Sequence, residues 1–199
     1  MVSVNSSLNA IKHYDEIIDK TIKQLEARNR LHNTLIVIVG DHGEAFGRHN
    51  QHGHGSGIYE ENIHVPLIMY NPILFNGERR TTFGGLKDVS STIMGLLGLS
   101  QPDAWQGRSL FNETGKDKVF FFAPWSDYLF GIRHGSNKII LNESERTIEL
   151  FQLSKDSLEE ENIAEDNPEL TETYREEVAA WIQYQDKFIK QILISKEVD

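Results

Sequence analysis

The chain has 199 residues, 39% of them apolar, which is enough for one globular piece with a real hydrophobic core. Its formal net charge of −10 argues against nonspecific binding to nucleic acid or to a membrane surface, because either partner would need a basic face. The absence of cysteine excludes disulfides and thiol chemistry. No apolar run reaches the roughly 18 residues of a membrane span, and no secretory signal opens the sequence, so we expect no direct membrane contact.

The first half of the sequence alternates helical and strand-like patterns. Apolar residues near helical spacing predict a helix over 8–30, and the β-branched run at 35–39 predicts a strand buried on both faces. A second strand is predicted at 65–70. A helix is predicted over 88–98, with Asp88 as its capping residue. This order is typical of the α/β class.

The second half predicts a small lobe made of an antiparallel meander and a long terminal helix. Turn residues separate four short strand-like pieces at 119–123, 128–134, 138–141 and 147–153. Apolar positions at helical spacing predict a helix from 170 to about 193 that packs across the meander. We therefore expect Trp181 and Phe188 to be core residues.

An acid and an imidazole follow the first predicted strand directly, as Asp41 and His42. Open α/β sheets bind ligands beyond the carboxyl ends of their strands, and a carboxylate beside a neutral imidazole suits a divalent cation. Gly40 and Gly43 relax the backbone enough for both side chains to face one ion. The alternative is a strand-terminating turn in which the pair only satisfies backbone groups.

The segment between the two predicted strands is long, glycine-rich and contains further histidines. His49, His52 and His54 are interleaved with four glycines. Long loops in compact domains usually serve function, and an imidazole near neutrality can bind an anion or transfer a proton. The alternative for each histidine is a solvated loop position.

Several sequence blocks in this order resemble the sulfatase family of the alkaline phosphatase superfamily. The blocks are Asn33-Thr-Leu-Ile-Val-Ile-Val-Gly-Asp-His-Gly-Glu-Ala-Phe-Gly47, Gly53-His54-Gly55, Tyr59-Glu60-Glu61 with Val65-Pro66-Leu67, and Glu149-Leu150-Phe151-Gln152-Leu153. The resemblance implies an alkaline-phosphatase-like mixed sheet with flanking helices over 1–115, as the C-terminal part of the catalytic domain. It implies a small C-terminal α+β subdomain over 116–199.

The resemblance also implies roles for individual residues. Asp41 and His42 match the family's metal-binding pair, and His54 matches a glycine-flanked histidine that lies over the substrate anion or, in two-metal relatives, near a second ion. An imidazole at that position could hold the anionic oxygens or give a proton to the leaving alcohol. His49 and Arg108 are candidates for contact with the substrate, since a guanidinium grips sulfate oxygens in a bidentate manner. For Arg108 the alternative is a surface arginine in a turn.

The family's nucleophile motif, Cys/Ser-x-Pro-x-Arg, is missing from the sequence. We therefore expect the chain to be the C-terminal portion of a longer metal-dependent hydrolase of sulfate esters, to need the N-terminal half as its partner, and to be inactive alone. The location of the parent stays open between periplasmic, extracellular and membrane-anchored.

The substrate is expected to be a small anionic ester, either a sulfate or a phosphate. If the parent is a sulfatase, the resemblance favours calcium. If it is a phosphotransferase or phosphodiesterase acting on phosphoethanolamine or phosphoglycerol groups, zinc or manganese is expected. A noncatalytic binding module is the third alternative.

Overall fold

The computed structural model describes residues 3–55, 57–112 and 117–196, and it confirms the α/β class. The helices are α1 (Val4–Ala27), α2 (Glu60–Ile63), α3 (Leu86–Leu96) and α4 (Pro168–Lys196), and the strands are β1 (Ile36–Val39), β2 (Leu67–Tyr70), β3 (Lys118–Ala123), β4 (Leu129–His134), β5 (Asn137–Asn142) and β6 (Thr147–Gln152). Two compact units divide the chain, residues 1–80 and 81–199. The predicted domain boundary at 115/116 stays a prediction, because residues 113–116 lie outside the described chain.

The first unit contains an antiparallel pair, with Ile36 opposite Tyr70 and Val39 opposite Leu67. The described strands of the chain pair only in antiparallel fashion, so the predicted mixed sheet is not seen within them. The prediction that β1 is buried on both faces is wrong for this chain, since Val39 is 39% exposed. No described residue of α1 is buried, so this helix does not bury the exposed face of β1.

Asn71 fixes the backbone at the far end of this strand pair. Its side-chain amide donates to the carbonyls of His32 (3.1 Å) and Thr34 (3.0 Å), which lead into β1. Its side-chain oxygen accepts from the backbone of Ile73 and Leu74 after β2. The buried amide thus ties the entrance of one strand to the exit of the other.

Helix α3 begins two residues before the predicted start at Asp88. The Asp88 carboxylate accepts from the backbone of Gly85 (2.8 Å), so it acts within the first turn rather than as the capping residue. Its other oxygen accepts from the backbone of Arg108 at 2.9 Å. The segment around Arg108 is therefore fastened to the start of α3 by one buried carboxylate.

The second unit confirms the meander and the terminal helix. Strands β3 to β6 pair in sequence order, each antiparallel to the next. Alternate strand residues meet apolar side chains of α4 and of the segment before it, because successive strand side chains point to opposite faces. The core cluster comprises Ile132, Ile139, Leu141, Leu150, Ala164, Tyr174 and Val178.

Two aromatic residues of α4 were predicted in the core and lie instead at its margin. Trp181 is half-buried and stacks on Phe120, with ring centroids 5.1 Å apart. Phe188 is half-buried and stacks on Tyr184 of the same helix at 6.0 Å. The meander covers the helix near Tyr174 and Val178, so the later turns are less covered. Within the described ranges, no helix has both the length and the apolar character that a bilayer crossing requires.

A fully buried ion pair lies in the same unit. Lys138 Nζ of β5 is 2.7 Å from Glu159 Oε1, and both side chains are 0% exposed. The ammonium also lies 5.6 Å from the centre of the Phe121 ring. Because both charges are buried, removal of either partner should be costly.

Candidate metal and anion site

The histidine loop, residues 40–66, connects the end of β1 to the start of β2, and because the two strands are antiparallel both of its ends lie at the same end of the strand pair. The Gly40 N–H donates to the Pro66 carbonyl (3.1 Å), and the Gly43 N–H donates to the Asn62 carbonyl (2.8 Å). A Cβ on residue 43 would collide with the Glu61 carbonyl, so only glycine permits this approach. The start of the loop is thereby fixed against its end.

Asp41 and His42 face each other at this fixed start. His42 Nε2 is 3.8 Å from Asp41 Oδ2, and the side chains are 46% and 89% exposed. His42 Nδ1 lies 2.9 Å from the Gly43 carbonyl, which can only accept, so Nδ1 carries the proton. A histidine that donates one ring N–H to a backbone carbonyl has its other nitrogen oriented for a metal ion, and here that nitrogen is Nε2.

His54 joins this pair through ring stacking. Its imidazole lies 4.0 Å from that of His42 between centroids, with planes 20° apart. His54 Nδ1 is 3.1 Å from Glu44 Oε2, and the Glu44 side chain is only 19% exposed. The structure therefore brings together Asp41, His42 and His54, which were predicted to act together.

His49 is held by a different set of partners. Its Nδ1 is 2.6 Å from Glu61 Oε1, and its ring stacks on Tyr59 at 3.7 Å with planes 4° apart. The backbone at His49 has φ = 47°, in the left-handed region that is uncommon outside glycine. His49 and His54 are thus held by different carboxylates, those of Glu61 and Glu44.

Arg108 belongs to the second unit. Besides the Asp88 contact of its backbone, its guanidinium donates to the Phe83 carbonyl at 3.3 Å. The group lies beside a cavity of about 250 Å³ that Ser91, Gln101 and Ser109 also line. Its predicted contact with the substrate stays a prediction.

Asp41 and His42, at the start of the loop, could provide two of the ligands of a divalent ion. One carboxylate and one imidazole with a free Nε2 are acceptable to calcium, manganese or zinc to different degrees. Among the residues that the structure describes, no group of three or more His, Asp or Glu side chains could hold a metal ion. A complete coordination sphere would need further donors.

Sequence reasoning missed the partners of the histidines. Glu44, Tyr59 and Glu61 were noted as parts of family blocks without individual roles, yet each contacts an imidazole. A carboxylate within reach of a loop histidine was a usable signal. Which acid meets which histidine depends on backbone angles that spacing does not reveal.

Comparison with known proteins agrees with this fold and loop. The family model described as Sulfatase matches residues 2–99. Arylsulfatase K of Mus musculus is 27% identical over 190 residues, which cover 85% of this chain and 34% of the relative. The Arylsulfatase of Clostridium perfringens is 26% identical over 202 residues, covering 94% and 38%. The chain thus spans little more than a third of the length of these curated relatives.

Solved structures are similar in fold. The proposed sulfatase yidJ from Bacteroides fragilis superposes with a TM-score of 0.78 at 23% identity, covering 87% of this chain and 40% of that one. A protein solved with its substrate D-glucosamine-2-N,6-O-disulfate gives a TM-score of 0.74 at 22% identity, with 89% and 39% covered. Fold and loop define a protein of the alkaline phosphatase superfamily. Within that superfamily, the chain belongs to the sulfatase family.

Proposed function

We propose that this chain supplies part of the active site of a metal-dependent hydrolase of sulfate esters. Asp41 and His42 would hold a divalent ion, and His54 would contact the leaving alcohol. His49 and Arg108 would contact the substrate. The observation that supports this proposal is the grouping of the Asp41 carboxylate, the His42 Nε2 and the stacked His54 ring at one end of the β1–β2 pair.

Each side chain has a task that its surroundings suit. His54 is held at Nδ1 by Glu44, and in its imidazolium form the Nε2–H could give a proton to a departing alkoxide, which would leave the ring neutral. The Gly43 carbonyl holds His42 in the tautomer that a ligand needs. A bound divalent ion would supply positive charge against the anionic oxygens of the ester. Calcium is the ion that we favour, because carboxylate-rich sulfatase sites are suited to hard cations.

Metal titration tests the proposal on the chain as it stands. Isothermal titration calorimetry with Ca²⁺, Mn²⁺ and Zn²⁺ should detect binding to the wild type and a loss of at least about tenfold in affinity in Asp41→Ala. Asp15→Ala is the matched control, since Asp15 is an exposed acid on α1 in the same unit. Equal affinity in both variants and the wild type would refute the ligand assignment. Absence of any binding would favour the noncatalytic module.

A phosphate ester is the second candidate substrate, and one relative favours it. The chain is 29% identical over 119 residues to a 2,3-bisphosphoglycerate-independent phosphoglycerate mutase of Gracilaria tenuistipitata var. liui, which covers 60% of this chain. A phosphotransferase would favour zinc or manganese at the same two ligands. The nucleophile separates the two reactions: Cys/Ser-x-Pro-x-Arg encoded upstream indicates a sulfatase, and an unmodified threonine or serine nucleophile indicates phosphate transfer.

The N-terminal half of a parent enzyme is the partner that we propose. Relatives extend well beyond the matched region, since this chain covers 34% of the mouse protein. Helix α1 also leaves Ile11 and Tyr14 more than 60% exposed, at 62% and 64%. Coexpression with the upstream sequence should slow amide exchange in α1. Unchanged exchange rates would contradict the partnership.

A further inference from the structure

The segment from Asn76 to Thr82 connects the two compact units, residues 1–80 and 81–199. Every residue of this segment is exposed, and the segment contains neither helix nor strand, since β2 ends at Tyr70 and α3 begins at Leu86. Gly77 has φ = 79°, and a Cβ placed on it would meet no atom within 4 Å. The backbone at Gly77 therefore borders open space.

Two adjacent arginines, Arg79 and Arg80, lie at the end of the first unit. The Arg80 guanidinium is 3.2 Å from the Glu78 carboxylate, and these two side chains are 43% and 67% exposed. An ion pair that is exposed to water contributes little stability. Within the described ranges, no backbone–backbone hydrogen bond joins Arg79 or Thr81 to another residue. The chain at Arg79 and Thr81 can therefore extend without breaking such a bond.

These properties are the ones that an endoprotease requires of its substrate. Proteases cut folded proteins mainly at exposed connecting segments, because the residues around the broken bond must leave the fold and extend. A protease of trypsin-like specificity also binds an arginine side chain in a pocket that contains a carboxylate. An exposed pair of arginines between two compact units meets both requirements.

Arg48, Arg108 and Arg146 also lie outside the α-helices and strands, but their backbone is held more firmly. The Arg48 N–H and carbonyl both form backbone hydrogen bonds, of 3.0 and 2.7 Å. The Arg108 N–H donates to the buried Asp88 carboxylate at 2.9 Å. Arg146 lies in the turn between β5 and β6 with φ = 59°. Cleavage at these three positions requires the local structure to open first.

We infer that the Arg79-Arg80 pair is a processing site for an endoprotease of trypsin-like specificity, and that cleavage there leaves the second unit folded. The protease adds water across the peptide bond after Arg79 or Arg80, which yields one new carboxylate and one new ammonium group. The cut falls between the unit that contains Asp41 and His42 and the unit that contains Arg108. The inference does not depend on the proposed function, because neither arginine of the pair is assigned to the ester or to the ion.

Limited digestion of the folded 199-residue chain with trypsin tests the site, and intact-mass spectrometry identifies each cut. The bond after Arg79 or Arg80 should be cut at least about tenfold faster than the bond after Arg48, Arg108 or Arg146, since those three sites need local opening. The double variant Arg79→Gln, Arg80→Gln should lose this cut. Arg146→Gln is the matched control and should leave its rate unchanged. Cleavage after Arg48 or Arg146 at the same rate as cleavage at the arginine pair would overturn the inference.

Tryptophan fluorescence shows whether the cut leaves the second unit folded. All three tryptophans, Trp105, Trp125 and Trp181, lie in that unit. The urea midpoint that they report should be the same for the cut and the intact chain, because the broken bond lies outside the core cluster of the unit. A lowered midpoint in the cut chain would show that the connecting segment supports the fold, and it would overturn the assignment as a processing site.

Discussion

Breaking the buried pair of Lys138 and Glu159 should strongly destabilise the second unit. Glu159→Gln removes the negative charge while conserving the shape of the side chain. The Lys138 ammonium, 0% exposed, would then lose the negative charge that lies 2.7 Å away. Because a buried charge without its partner keeps its full desolvation cost, we expect a large loss of stability.

The magnitude follows from distance and burial. Unit charges 2.7 Å apart attract by ~6 kcal/mol at an effective dielectric constant of about 20, against about 1.5 kcal/mol in water. Removal of one partner of a buried pair costs about 3–5 kcal/mol in practice. For a chain of this size each kcal/mol lowers Tm by about 2–4 °C, so a drop of about 6–20 °C is expected.

Urea denaturation followed by circular dichroism measures this loss. The control is Asp186→Asn, which breaks the Lys190–Asp186 pair at the same 2.7 Å distance, where the side chains are 66% and 57% exposed. That exposed pair should contribute less than about 1 kcal/mol. The double variant Lys138→Met, Glu159→Gln should recover much of the lost stability. Equal costs for the buried and exposed pairs would refute the reasoning.

Three further predictions follow from the sequence and structure. Gly43→Ala should lower metal affinity by about 10–100-fold in calorimetry. The new Cβ would collide with the Glu61 carbonyl and so displace the carbonyl of residue 43, which orients His42. Unaltered affinity would contradict this prediction. Burial raises the pKa of Asp156, but the backbone N–H donors of residues 158–161 outweigh this effect, so the pKa of the folded carboxyl lies below its ordinary value. The ionised carboxyl stabilises the fold fully above its pKa in the unfolded chain, and this stabilisation is lost as the pH falls through the pKa in the folded chain. In urea denaturation, the difference in unfolding free energy between wild type and Asp156→Asn should therefore shrink from about pH 7 to about pH 2. A difference that stays constant would contradict this prediction. The chain alone should not hydrolyse 4-nitrophenyl sulfate, and turnover abolished by His42→Ala would contradict this expectation.

Much of the fold was predictable because local patterns and tertiary packing agree. The strand predicted at 128–134 is observed as Leu129–His134, and the turn at Gly135 with φ = 60° matches its glycine. Helix α1 begins earlier than predicted, since Ser3 accepts from the Ser6 backbone and caps Val4–Ala27. The extent to which β1 is buried was not predictable, because it depends on which other elements pack against the strand.

The site was predictable in part for a similar reason. Asp41 and His42 follow a strand directly, so their position depends on one recognisable element. The pairing of His49 with Glu61 depends on left-handed backbone at Phe46 and His49, residue types that rarely adopt it. No local pattern marks such angles, and they arise only when the whole loop closes.

The antiparallel return of the histidine loop has a consequence for how such proteins diversify. Asp41 and His42 are anchored by the Gly40 and Gly43 backbone, whereas His49 and His54 depend on side-chain contacts with Glu61 and Glu44. Lengthening a loop whose ends are fixed costs little entropy. Insertions between Gly43 and Asn62 can therefore change the surroundings of His49 and His54 while the bonds of Gly40 to Pro66 and of Gly43 to Asn62 keep the proposed ion ligands in place, so that the proposed substrate contacts and ion binding can evolve separately.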